Sequence, residues 1–157
     1  IIRGTPSMIQ ILFFYSVIFA TVNLNNIVIG GIAFGINSGA YVAEIFRSGI
    51  MSVDKGQWEA CETLGLSHKQ TMRLVILPQA FKRIIPPMIS EFITLIKDSS
   101  LISCIGAVEL LKSAQVVGAQ YYDVMSPYCI VAVYYLIMTI SISYLGRYVE
   151  KRLAESD

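Results

Sequence analysis

Four apolar runs, at residues 8–22, 27–45, 84–111 and 128–145, constrain this 157-residue chain more than any other feature. A helix rises 1.5 Å per residue, so about 20 apolar residues cross a ~30 Å hydrocarbon core. Each run reaches or approaches that length. The first and last runs, MIQILFFYSVIFATV and YCIVAVYYLIMTISISYL, have almost no polar face. Helices covering a soluble core would need one. Only 15% of residues are charged, against about 25% in soluble domains. The pattern predicts an all-α polytopic membrane bundle with about four spans. The apolar content excludes disorder, and a net charge of +1 argues against a nucleic-acid binder. Cys61, Cys104 and Cys129 are too far apart for a C-x-x-C pair, and with His68 as the single histidine a His/Cys zinc site lacks ligands.

Charge placement predicts orientation. Arg3 precedes the first run. Arg47, Lys55, Lys69, Arg73, Lys82 and Arg83 lie around the segment between the second and third, and Arg147, Lys151 and Arg152 follow the fourth. Threading four spans puts all ten on one side. The positive-inside rule makes that side cytoplasmic, together with the C-terminus. Lys97 and Lys112 fall elsewhere.

The one substantial polar segment, residues 48–83, reads as two short helices. Asp54 is placed to cap the first, with Gln57 at capping-box spacing. Gly65 supplies a residue able to take positive φ after Leu64. Ser67 and Gln70 repeat the capping-box spacing, and Pro78 is expected to end the second helix by biasing Leu77 away from helical geometry.

Within that segment, Glu59-Ala60-Cys61-x-x-x-Gly65 followed by Val75-x-Leu77-Pro78 resembles the EAA loop of membrane subunits of binding-protein-dependent ABC importers, E-A-A-x3-G-x9-I-x-L-P. Cys61 stands for the third-position alanine and Val75 for the isoleucine. Further stretches are similar to the polar-amino-acid permeases of that superfamily. They are Arg3-Gly4-Thr5-Pro6, the run from Ala40-Tyr41 through Glu44-Ile45 and Arg47 to Gly49-Ile50, Lys55-Gly56-Gln57-Trp58-Glu59-Ala60, and Leu95-Ile96-Lys97-Asp98-Ser99-Ser100-Leu101. The resemblance covers nearly the whole chain. It implies the type I ABC importer permease fold, with residues 1–157 as one transmembrane permease domain and 48–83 as its cytosolic coupling loop. Family members begin with a further membrane helix, so it also implies a span before Ile1.

The coupling role falls on Trp58, Glu59, Ala60, Cys61, Leu64, Gly65, Leu66, Leu77 and Pro78. Small residues let a partner surface approach, and Trp58, Ala60, Cys61 and Leu64 offer apolar surface to a groove. In the second run, Gly31, Gly35, Gly39 and Ala43 form a double G-x-x-x-G stripe suited to close helix packing. Asn37, Tyr41 and Glu44 mark another face, with Glu44 and Arg47 spaced to pair. In the third run, Glu91, Thr94, Lys97 and Asp98 fall near one face. Charges at membrane depth are costly unless paired or hydrated, so they mark a pathway or a structural ion pair. Asn37, Tyr41, Glu91, Thr94, Lys97 and Asp98 are the candidate substrate-path residues. Pro86-Pro87 is expected to free the start of that helix and Asp98-Ser99-Ser100 to interrupt it.

No phosphate-binding loop is present, and no catalytic triad or metal site can be drawn. The expectation is therefore a non-enzymatic permease subunit that binds no cofactor itself. ATP and Mg are expected on a separate ATPase. The resemblance implies a second permease subunit, identical or a paralogue, two ATPase subunits and an extracytoplasmic amino-acid-binding protein, in the cytoplasmic (inner) membrane of a prokaryote. The alternatives are an importer permease for another small solute and an ion-coupled secondary transporter using Glu91 and Asp98 as relay carboxylates.

Overall fold

The computed structural model describes residues 2–154. Among the described residues, seven α-helices follow a short 3-10 turn at Ile2–Gly4: α1 (Ser7–Phe13), α2 (Asn26–Met51), α3 (Lys55–Thr63), α4 (His68–Thr71), α5 (Leu77–Asp98), α6 (Leu110–Tyr121) and α7 (Met125–Ala154). Among the described residues there is no strand. The all-α expectation holds, with one difference in the number of spans. Helix α2 and Met125–Leu153 are each long and apolar enough to cross a membrane. His68–Ile105 and Leu110–Tyr121, bent by 49°, qualify together as a third, broken span. The first apolar run does not reach span length. It gives seven α-helical residues and a five-residue π turn at Phe14–Ile18, well short of the ~20 needed. The amide of Phe19 closes that turn on the Phe14 carbonyl at 2.8 Å, and the two rings stack at 6.2 Å.

The chain forms two compact units. The first comprises Ile1–Ala40 and Phe92–Ile142. Its core is Ile11, Ile29, Ala33, Ile102, Ile105 and Ala107, flanked by Phe14, Phe19, Phe34 and Leu101. The helix start at Asn26 is set by the Asn25 side chain, which accepts from the Ile27 amide at 2.9 Å. Gly30 is the closest approach in this unit: a Cβ there would lie 2.4 Å from Cγ2 of Ile102.

The second unit comprises Tyr41–Glu91 and Ser143–Asp157. Val53, Ile76, Ala80 and Ile84 form its core, with Ile45, Ile50, Trp58, Met72, Val75 and Met88 packed around them. Here Gly49 accepts Ile84, and Gly146 accepts Ile89, with a Cβ at either position reaching 2.3 or 2.5 Å from the isoleucine. The packing glycines are thus Gly30, Gly49 and Gly146. Gly31, Gly35 and Gly39 meet nothing of the described chain within 4 Å, and Ala43 is exposed.

Proline placement departs from the sequence expectation. Leu77 stays helical, at φ −60° and ψ −44°, and the helix runs on through Pro78. A π turn over Met72–Ile76 precedes it, closed by the Leu77 amide on the Met72 carbonyl. The widened turn takes the preceding carbonyls out of the path of the proline ring. Pro86 and Pro87 accordingly lie inside α5 rather than at its start. In a membrane helix such interior prolines are tolerated where neighbouring groups serve the carbonyls they leave behind.

Two outcomes follow. Alanine at Gly30 or Gly49 inserts a methyl against a β-branched side chain. Each should lower stability by about 1–3 kcal/mol in thermal unfolding of detergent-solubilised protein, whereas Gly31→Ala should change it by less than ~0.5 kcal/mol. The second concerns Asp123, between α6 and α7. Its carboxylate is held below the usual carboxylate range, chiefly by the Ser126 side chain and then by backbone amides. It caps α7 by accepting from the Met125 and Ser126 amides at 3.0 and 3.2 Å. A depressed folded-state value means the stabilisation is present above the unfolded pKa of about 3.9 and is lost as pH falls below it. Melting curves from pH 7 to 3 should show a shallower acid loss for Asp123→Asn, which keeps the cap but does not titrate.

Candidate functional site

The polar segment builds a braced projection in the second unit. Asp54 caps α3, its Oδ1 accepting from the Gly56 amide at 2.7 Å. The expected capping box with Gln57 is not made. Gln57 Oε1 instead accepts from Gln79 Nε2 at 3.2 Å, tying α3 to α5. After Leu64 the chain turns through Gly65 at φ +70°. The Leu66 amide reaches the Cys61 carbonyl at 3.1 Å and the Gly65 amide reaches the Glu62 carbonyl at 2.9 Å. These are the two bonds of a Schellman motif, and the positive φ is what a Cβ would oppose. Ser67 then forms the expected capping box with Gln70. Arg83 Nη1 donates to the Ser52 carbonyl, closing the base of the projection.

Side-chain direction sorts the coupling candidates. Glu59, Ala60, Gly65 and Pro78 are exposed, and Leu64 is 77% exposed. Trp58, Leu66 and Leu77 are half-buried. Trp58 packs on the unit core and stacks on the exposed His68 at 6.1 Å. Cys61 is 3% exposed. It therefore braces the projection from inside and offers no surface to a groove, contrary to the sequence expectation. Glu59 lies about 160° around α3 from Cys61 and so faces outward, while Leu64, three residues on, is the C-cap where the helix ends and stays exposed.

The pathway candidates divide between the units. Asn37, Thr94, Lys97 and Asp98 belong to the first, Tyr41 and Glu91 to the second. Asn37 Nδ2 donates to Gln10 Oε1 at 2.9 Å, and Gln10 in turn donates to the Thr5 hydroxyl and the Ile2 carbonyl. Asn37 is thus fastened to α1 through a residue that sequence reasoning missed. Tyr41 is half-buried. On α5, Glu91, Thr94 and Asp98 share one face, while Lys97 points about 100° to its side. Glu91 and Asp98 are half-buried and Lys97 is exposed. Among the described residues none of these three makes an ion pair, so the alternative of a structural Lys97–Asp98 pair is not formed. Glu44 and Arg47 do pair, Arg47 Nε donating to Oε2 at 2.8 Å.

The interruption after Asp98 is real, but Asp98 does not cap it. Helix α5 tightens into a 3-10 turn at Ser99–Ile105 with no cap bond from the Asp98 side chain. Ser99 and Ser100 instead donate back to the Ile96 and Lys97 carbonyls at 2.6 and 2.8 Å. The turn ends at Gly106, φ +77°. An apolar cleft of about 360 Å³ between α6 and α7, lined by Leu110, Ala114, Val117, Ile130, Val131 and Tyr134, contains none of the pathway candidates.

The comparisons with known proteins agree with this architecture. The profile of a family described as binding-protein-dependent transport system inner membrane component matches residues 1–155. The chain belongs to that family. It is 42% identical to a putative glutamine transport system permease protein of Rickettsia bellii, over 99% of this chain and 72% of the relative. It is 39% identical to the glutamine transport system permease protein of Escherichia coli K12, over 98% of this chain and 71% of that one. With the L-cystine transport system permease protein of Bacillus subtilis the identity is 44%, over 97% and 66%. A crystal structure of an amino acid ABC transporter with histidines superposes with a TM-score of 0.91 at 42% identity, over 96% of this chain and 71% of that one. The inward-facing methionine ABC transporter MetNI shares the fold, with a TM-score of 0.79 at 21% identity, over 97% and 70%. This is the permease fold of ABC importers, and the chain is an inner-membrane permease subunit of that class.

Proposed function

We propose that this permease subunit moves a polar or charged amino acid inward, driven by ATP hydrolysis on a separate subunit. The observation that carries the reading is the braced helix–Schellman turn–helix projection bearing Glu59, Ala60 and Leu64 outward. A transporter powered by another chain needs a handle that transmits displacement without bending. Caps at Asp54 and Ser67, the Trp58–His68 stack and the Gln57–Gln79 and Arg83–Ser52 bonds supply that stiffness. The names of the relatives, for glutamine and cystine, support an amino acid as cargo.

In this reading residues 1–157 act as one transport domain, and 48–83 lie on the cytoplasmic side with the C-terminus, as the basic residues favour. Two ATPase subunits hold nucleotide and Mg and dock on the handles. A second permease subunit completes the pathway, and an extracytoplasmic binding protein delivers substrate. The stripe of Gly31, Gly35, Gly39 and Ala43, open along the described chain, is suited to that second subunit. Either Glu91 or Asp98 would meet the substrate ammonium, and either Lys97 or a helix N-terminus its carboxylate.

Glu59→Lys and Gly65→Val should leave membrane insertion intact while abolishing ATPase co-purification and ATP-driven uptake. Mutant chains that retain the ATPase and transport at the normal rate defeat the handle reading. Uptake that persists without ATP under a proton gradient would favour the secondary-transporter alternative. For the pathway, Glu91→Gln should change affinity or selectivity among amino acids by roughly tenfold or more, the scale of a lost charge-assisted hydrogen bond. Unaltered affinity and selectivity would remove Glu91 from it.

A further inference from the structure

The interruption after Asp98 leaves helical carbonyls and amides at membrane depth, where each unsatisfied group costs several kcal/mol. Residues from three other places in the first unit serve them. Asn26, the first residue of α2, donates from Nδ2 to the Ile105 carbonyl at 2.6 Å. Glu109 caps α6 with both oxygens, accepting from the Leu111 and Lys112 amides at 2.7 and 2.5 Å. The Tyr135 hydroxyl on α7 donates to Glu109 Oε2 at 3.3 Å, and the Ser99 side chain meets the same hydroxyl. Ser99 is the residue that follows Asp98. A carboxylate is a stronger acceptor than a cap requires, and Tyr135 is otherwise an apolar-span residue with its hydroxyl turned inward.

We propose that Glu109 and Tyr135 are positioning residues for Asp98: the Glu109–Tyr135–Ser99 chain of contacts fixes the 3-10 turn and thereby the direction in which Asp98 is presented. This rests on the reading of Asp98 as a substrate-path residue. Neither residue needs to touch the substrate. Their effect is on affinity, and it separates from assembly because α6 retains a cap without Tyr135.

The test is equilibrium binding of labelled glutamine, cystine, histidine and arginine to the purified permease–ATPase complex without binding protein, with basal ATPase rate and ATPase retention measured beside it. Tyr135→Phe keeps the ring and loses the hydroxyl. Glu109→Asp keeps a cap and is too short for Tyr135. Both should weaken binding of the best-bound amino acid about threefold to tenfold, the range of one hydrogen bond, at unchanged ATPase rate and retention. Tyr135→Phe should add little in an Asp98→Asn background, since coupled residues are non-additive. If Asp98→Asn weakens binding while Tyr135→Phe and Glu109→Asp do not, the positioning role is wrong and the pathway reading stands. If Asp98→Asn changes nothing, or the unmodified complex binds none of the four, the pathway reading falls and this inference with it. If ATPase rate and retention drop in parallel with binding, the pair is a structural staple only, which also overturns it.

Discussion

Satisfying every backbone polar group where no water is available governs this structure. Helices answer that demand along their length, and it returns wherever they stop or bend. The chain uses the same local devices at its helix ends in the exposed projection and in the apolar runs alike. Gly65 and Gly106, both at positive φ, each allow their own amide and the next one to fold back on carbonyls of the last turn. Asp54, Ser67, Glu109 and Asp123 occupy helix starts and accept from amides that have no intrahelical partner. Around residues 99–109 the local devices are joined by Asn26 and Tyr135 from other helices.

Packing follows a second rule, that helices without a strong hydrophobic drive between them approach through small residues. Isoleucine against glycine recurs at Gly30–Ile102, Gly49–Ile84 and Gly146–Ile89. The coupling projection and the interruption in α5 are therefore built alike, as stops held rigid by caps and set against close-packed helices. Rigidity in the first suits the transmission of force, and in the second the fixed presentation of a carboxylate.

Much of this was legible in residue order. The Ser67–Gln70 box, the Asp54 cap, the turn at Gly65 and the Glu44–Arg47 pair are all local, decided within a few residues. The EAA-type spacing and the K-D-S-S-L stretch carried the family for the same reason. What proved misleading was also instructive. Pro78 reads as a helix end and Pro86-Pro87 as a helix start, but a π turn precedes the first and the helix carries the others inside α5. The close approach within the first unit is made at Gly30, one residue before the Gly31 stripe, and no spacing pattern marked it. A sequence displays the period of a helix but not which side of it another helix occupies.

By itself the sequence determined the all-α membrane class, the position of the polar projection and the residue types available for coupling and for a charged pathway, because hydropathy and capping act over short separations. Only the tertiary structure decided that Cys61 faces inward while Leu64 faces out, that Asn37 is tied to Gln10, and that Lys97 and Asp98 do not pair. It alone joined Glu109 to Tyr135 and Asn26 to Ile105, contacts 26 and 79 residues apart in the chain. Those depend on which helices meet, and no local pattern of residues encodes that.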